Sequence, residues 1–185
     1  MDIEFDNKMI REKRSSVVVV NTGDGKGKTT ASLGTAFRAL GWGWKVLMIQ
    51  FIKGKWNPGE KRCAEKINLP FEIISLGSGF TWDTKDREHD IAECAKAWNY
   101  AKEKILSTEY DLIILDELNI VLSLKYLPVA EVIDTLSQRK NWINIIITGR
   151  NAPDNLIEYA DLVTEMKKIK HPFDKGKKAL KGIEF

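Results

Sequence analysis

The chain has little of what metal centres and disulfide frameworks are built from. Its 185 residues include two cysteines, Cys63 and Cys94, and two histidines, His89 and His171. The cysteines lack metal-ligand spacing and the histidines are too few to complete a zinc site with them. The pair is expected as reduced, half-buried thiols, not as a disulfide. Apolar runs reach only strand length and no signal-peptide pattern opens the chain. Neither a membrane-spanning segment nor export is therefore expected, and the expected compartment is the cytoplasm. Basic residues interleaved with aromatics, the pattern that stacks single-stranded bases, are also missing, so no nucleic-acid partner is expected. Repeats, low-complexity tracts and long linkers are absent as well.

What is present fits a globular protein with one substantial core: 43% hydrophobic and 30% charged residues. The net charge of +3 is unevenly placed. Residues 166–185 hold seven lysines against Asp174 and Glu184, which is +5 in this stretch. Such a cluster is either a solvated face or an attractor for an anion. Residues 1–16 carry four acids and four bases. They form either a disordered extension or a short amphipathic helix using Ile3, Phe5, Met9 and Ile10.

The chain is organised around residues 17–30, Val-Val-Val-Val-Asn-Thr-Gly-Asp-Gly-Lys-Gly-Lys-Thr-Thr. Four β-branched residues favour a buried strand. Gly23, Gly25 and Gly27 permit a tight turn, and Leu33, Ala36, Phe37 and Leu40 then recur at helical spacing. Strand, glycine loop, Lys-Thr and helix make a P-loop, in which backbone amides and a lysine hold phosphates and a hydroxyl ligates magnesium. The usual first glycine would stand at position 22, which is Thr22; the loop begins at Gly23 and contains an additional lysine, Lys26. A nucleoside triphosphate is the expected ligand, held by Gly23, Asp24, Gly25, Lys26, Gly27, Lys28, Thr29 and Thr30.

Further strands are expected at 45–52, 71–76, 110–117, 142–148 and 160–166, with helices near 60–66, 85–106 and 127–138 between them. The apolar face of the long helix is expected to be Ile91, Cys94, Ala95, Trp98, Ala101 and Ile105. The alternation gives a P-loop NTPase-like α/β fold of three layers, a mostly parallel sheet flanked by helices, formed by residues 17–185 behind the 1–16 extension. Each suspect loop follows a strand, where open α/β sheets bind ligands. Asp116-Glu117 either holds magnesium or caps a helix N-terminus. Arg150 either reaches a phosphate or lies on a surface turn. Phe80 and Trp82 either touch a ligand or plug the core beneath their loop.

The ordered set of motifs resembles the P-loop type of cob(I)alamin, or corrinoid, adenosyltransferase. It comprises Gly-Asp-Gly-Lys-Gly-Lys-Thr-Thr at 23–30, Gln-Phe-Ile-Lys-Gly at 50–54, Gly-Phe-Thr-Trp-Asp-Thr at 79–84, Leu-Asp-Glu-Leu at 115–118, Thr-Gly-Arg at 148–150 and Lys-His-Pro-Phe-Asp-Lys-Gly at 170–176. The similarity runs from Asn21 to Phe185 and includes the displaced first glycine. It implies transfer of the 5′-deoxyadenosyl group of ATP to cobalt(I) of a reduced corrinoid, with release of triphosphate and no need for a catalytic base. It further implies that residues 23–29 bind phosphates and that Thr29 and Glu117 hold Mg2+, with Asp116 beside them. Arg150 falls near the phosphates. Phe80 and Trp82 match an aromatic loop that displaces the lower axial ligand of cobalt(II). The resemblance also implies a homodimer, an N-terminal segment covering a partner subunit's corrinoid, and a flavoprotein electron donor.

Overall fold

The computed structural model describes residue 11, residues 13–52, 58–76 and 86–184. The Phe80 and Trp82 loop, Lys53-Gly54 and residues 1–10 lie outside this set. Six strands form one sheet: β1 (Val18–Thr22), β2 (Val46–Gln50), β3 (Phe71–Ser75), β4 (Leu112–Asp116), β5 (Asn144–Thr148) and β6 (Leu162–Glu165). Their order is β3-β2-β4-β5-β1-β6, and every pairing is parallel. The sheet is thus wholly parallel among the described residues, where the sequence promised mostly parallel. The central strands β2, β4 and β5 are buried along their whole length. That burial explains why they read as near-continuous runs of Ile, Leu, Val and Met.

Helices cover the two faces. On one face α1 (Lys28–Gly41) packs through Ala36, Ala39 and Leu40 on Val46, Met48, Leu112, Ile114 and Ile146. On the other lie α3 (Arg87–Leu106), α5 (Val129–Ser137) and α6 (Asp154–Tyr159), together with the short α4 (Leu118–Ser123). Trp98, Ile105, Val132, Leu136 and Leu156 bury there against Val18, Leu47, Ile113 and Ile145. The eight-residue α2 (Gly59–Lys66) contacts β3 at the sheet's edge.

Three side-chain expectations are corrected. Phe37 is 77% exposed because it faces away from the sheet on α1, although its spacing suits the apolar stripe. On α3 Ala95 is exposed and Ala97 buried instead. Cys63 is exposed on α2; Cys94 alone is buried, and both are free thiols. Burial, with Asp90 as a secondary cause, pushes the Cys94 thiol up to about 11, so it stays protonated and inert.

The amino end of the sheet carries its own anchor. Asp111, just before β4, is 2% exposed and accepts two hydrogen bonds from Arg11, at 2.8 and 2.7 Å, and one from Arg14 at 3.3 Å. It also takes the Lys45 backbone N–H at 2.9 Å. The Arg14 guanidinium stacks over Trp44, 4.7 Å from the ring centre. A buried carboxylate that is matched bidentately and by a backbone donor ties the chain entering β1 to the starts of β2 and β4.

Candidate functional site

Strand register lines up polar residues at the carboxyl edge of the sheet. Gln50 pairs with Ser75 and with Asp116, and Asn21 pairs with Thr148 and Thr164. Leu115 pairs with Ile147, which brings Asp116 beside Thr148. Partners in a parallel sheet share a face, and this row faces α1. Hydrogen bonds link it: Ser75 Oγ donates to Gln50 Oε1 at 2.9 Å, and Thr148 Oγ1 donates to Asp116 Oδ1 at 2.8 Å. Gln50 Nε2 lies 3.5 Å from Asp116 Oδ2. Each side chain fixes the next, so the edge is organised before any ligand arrives.

The P-loop closes over this row. Gly23 and Gly27 take φ values of 92° and 113°, backbone that L side chains rarely adopt, which accounts for glycine at both positions. Thr29, in the first turn of α1, donates its Oγ1 to Asp116 Oδ1 at 2.8 Å. Lys28 is 8% exposed and folds back, donating to the carbonyls of Gly23 and Gly25 at 2.7 Å each. Burial lowers the Lys28 pKa from its ordinary value; Arg150 and Lys26 add to the lowering, whereas Glu117 and Asp24 oppose it. Beneath the loop Asn21 Nδ2 donates to Ser32 Oγ at 3.1 Å, tying β1 to α1.

Glu117 follows β4 with φ 64°, a left-handed conformation uncommon outside glycine. Its backbone N–H donates to Thr148 Oγ1 at 2.9 Å. Gly149, with φ 124°, packs so closely that a Cβ there would lie 3.2 Å from Glu117 Oε2 and 3.0 Å from Asn119 Cβ. Asn119 is fully buried and donates Nδ2 to the Gly149 carbonyl at 3.0 Å. It holds the turn that carries exposed Arg150. The structure thus gathers Lys28, Thr29, Asp116 and Glu117 at one edge, with Arg150, Asp24 and Lys26 in the electrostatic field of Lys28. Thr30 points to solvent from α1. Phe80 and Trp82 fall outside the described residues.

Sequence reasoning put Thr148 in a loop expected at this edge but missed its bond to Asp116, and it missed Asn119 altogether. Thr148 was visible within Thr-Gly-Arg, but its bond to Asp116 is a tertiary fact without a local signal. Asn119 had no signal beyond lying in α4, a helix the periodicity did not reveal because six residues are too few for a stripe.

The site's donors are hydroxyl and carboxylate oxygens on a strand end and a phosphate-type loop. Thr29 Oγ1 and Asp116 Oδ1 are already in contact at 2.8 Å, and hard oxygen donors of this kind, completed by phosphates, are what Mg2+ uses. The residues present fit that ion.

A model of the family described as ATP:corrinoid adenosyltransferase BtuR/CobO/CobP matches residues 14–185. The chain belongs to this family. Corrinoid adenosyltransferase from Escherichia coli K12 is 44% identical over 169 residues, covering 91% of this chain and 85% of that one. The Sinorhizobium sp. corrinoid adenosyltransferase is 47% identical over 171 residues, 91% of this chain and 80% of its own. Corrinoid adenosyltransferase CobA of Salmonella typhimurium LT2 is 41% identical over 174 residues, 94% and 88% respectively. The motif order from Gly23 to Gly176 therefore identified the family correctly. Among the described residues no helix is long and apolar enough to cross a membrane.

Proposed function

We propose that this chain moves the 5′-deoxyadenosyl group of ATP to cobalt(I) of a reduced corrinoid, cobalamin or a cobyrinic acid diamide-type precursor. Family membership supports the reaction class. The observation that carries its assignment to this edge is the contact of Thr29 with Asp116 beside Lys28. In the reaction a lone pair on cobalt(I) attacks C5′ of the ribose. The C5′–O5′ bond breaks, its electron pair leaves with triphosphate, and cobalt becomes formally cobalt(III).

The substrate metal brings the nucleophile, so the protein's task is to position C5′ and stabilise a departing polyanion. Residues 23–30 wrap the phosphates, with Lys28 and Lys26 supplying positive charge. Lys28 is preorganised for this: its ammonium is held by two loop carbonyls, close to where phosphate oxygens arrive. Arg150 adds a guanidinium to the same anion. Thr29, Glu117 and Asp116 would hold Mg2+, which when bound neutralises phosphate charge. Asp116 also keeps the Thr29 and Thr148 hydroxyls aimed.

The family's aromatic loop gives Phe80 and Trp82 the task of displacing the lower axial ligand of cobalt(II), which makes reduction easier. A flavoprotein supplies the electron. The enzyme works as a cytoplasmic homodimer, with residues 1–16 covering the corrinoid of the partner subunit and residues 17–185 forming the catalytic domain.

The test is incubation with magnesium, ATP and chemically reduced cobalamin, without oxygen or light. A photolabile alkyl-cobalt spectrum with intact triphosphate is expected. ADP and phosphate with unchanged cobalt would return the chain to P-loop phosphotransferases or ATPases. Repeating the assay with a cobyrinic acid diamide separates the two corrinoid classes by kcat/KM.

A further inference from the structure

The segment after β6 returns to the P-loop and touches it at both ends. At its start the Met166 carbonyl accepts the Gly25 N–H at 2.6 Å. The approach is so close that a Cβ on Gly23 or on Gly25 would lie 2.6 Å from the Met166 oxygen. At its finish the Glu184 carboxylate forms an ion pair with Lys26 Nζ. The Glu184 side chain is 12% exposed and that of Lys26 49%, so the carboxylate is packed against the protein while the ammonium still meets water. Between these ends the segment is braced. A 3-10 helix at Pro172–Lys175 is capped by His171 Nδ1, which accepts the Phe173 N–H at 3.1 Å. Lys168 pairs with Asp174 at 3.1 Å, and the Glu184 N–H donates to the Leu180 carbonyl at 2.9 Å. Residues 166–184 thus form an arch whose feet stand on consecutive loop residues, Gly25 and Lys26.

We propose that Glu184 stands in for phosphate: it is a positioning residue that holds Lys26 while the loop is empty and yields it to the polyphosphate chain of ATP. The proposal rests on the reading that the loop binds triphosphate. Lys26 is a point charge on a flexible stem, so it follows whichever anion offers the greater charge. A polyphosphate brings several negative charges to the loop and repels the carboxylate at the same time. Exchange of one anion for the other lifts the outer foot of the arch, while the inner foot at Met166 stays bound through the backbone. The arch carries seven lysines against Asp174 and Glu184. Once Glu184 has swung away, the segment therefore still attracts the anion that displaced it.

The experiment uses the full chain and tripolyphosphate as probe. Calorimetric affinities are compared for the native chain, Glu184→Gln and Glu184→Asp, alongside tryptic cleavage after Lys181 with and without the probe. Removing the competing carboxylate is expected to tighten tripolyphosphate binding roughly two- to fivefold, the scale of a partly exposed ion pair. Glu184→Asp restores the native affinity. The probe accelerates cleavage after Lys181 in the native chain, whereas Glu184→Gln is cleaved fast without it. Equal or weaker binding by Glu184→Gln, or cleavage indifferent to the probe, overturns the proposal; a merely structural role for Glu184 predicts weaker binding. Failure of the native chain to bind tripolyphosphate at all would instead defeat the triphosphate reading beneath it.

Discussion

Thr29 and Asp116 stand 87 positions apart in sequence and are joined by a 2.8 Å hydrogen bond from Thr29 Oγ1 to Asp116 Oδ1. The same carboxylate oxygen accepts from Thr148 Oγ1, also at 2.8 Å, and Asp116 is fully buried. One carboxylate therefore orients a hydroxyl from the P-loop helix and another from β5. Asp116→Asn keeps the shape of this junction but removes its charge. The expected result is a drop of about 10- to 100-fold in adenosyl transfer, the usual range for partners that orient metal ligands. Unfolding in urea should shift by only about 1–2 kcal/mol. Full activity in the variant would remove Asp116 from the site.

Lys28 makes a pH prediction whose sign can be worked out. Burial lowers its folded-state pKa from the ordinary 10.5. Between the lowered and the ordinary value the unfolded chain binds more protons than the folded one, so this residue makes stability rise with pH in that window. Triphosphate favours the charged ammonium and acts the opposite way. ATP affinity should therefore fall as pH rises through the window, with binding accompanied by proton uptake. Calorimetry in two buffers of different ionisation enthalpy reads the uptake directly. Lys28→Met should abolish it and weaken ATP binding at least about tenfold. Absence of proton uptake in the native chain at alkaline pH would show that Lys28 does not titrate on binding.

Asp111 supports stability at the edge of the sheet opposite the P-loop. Asp111→Ala strands the Lys45 N–H that the carboxylate accepts at 2.9 Å and releases Arg11 and Arg14. The two arginine side chains are 28% and 24% exposed, so both still reach water. The cost should be about 2–3 kcal/mol, short of a fully buried broken pair. Urea midpoints measure it, and a double-mutant cycle with Arg11→Ala isolates the pair. Nucleotide affinity per folded molecule should be unchanged, and a loss there would mean that the anchor reaches across the sheet.

The elements that position the site were legible because their signals are local. Four valines before a glycine loop, and aliphatic runs ending in Gln50, Asp116 and Thr148, announce strands whatever they pair with. Strand neighbours were not legible: nothing near Asp116 says that Thr148 lies beside it and Thr29 above it, since register is set by the whole sheet. Glu117 reads from sequence as one of two strand-end acids, yet its left-handed backbone appears only once Gly149 and α4 are packed around it. The lysine-rich tail likewise read as a charge count. Its contacts with Gly25 and Lys26 depend on where β6 delivers the chain.

Trp82 offers a test that separates coordination chemistry from binding. If its indole, with Phe80, displaces the lower ligand of cobalt(II), its value lies in making that cobalt reducible, not in holding ATP or accepting the adenosyl group. Trp82→Ala should then lose about 100-fold or more in turnover when cobalt(II) is supplied with an in situ reductant. The loss should be under about tenfold when prereduced cobalt(I) is supplied. Because cobalt(I) needs no further electron, the difference between the two assays reports only the reduction step. ATP KM should stay the same in both, since the proposed function assigns the phosphates to residues 23–30 and not to Trp82. Parallel losses in the two assays would make Trp82 a wall of the corrinoid pocket, and the ease of reduction would have to come from elsewhere in the protein.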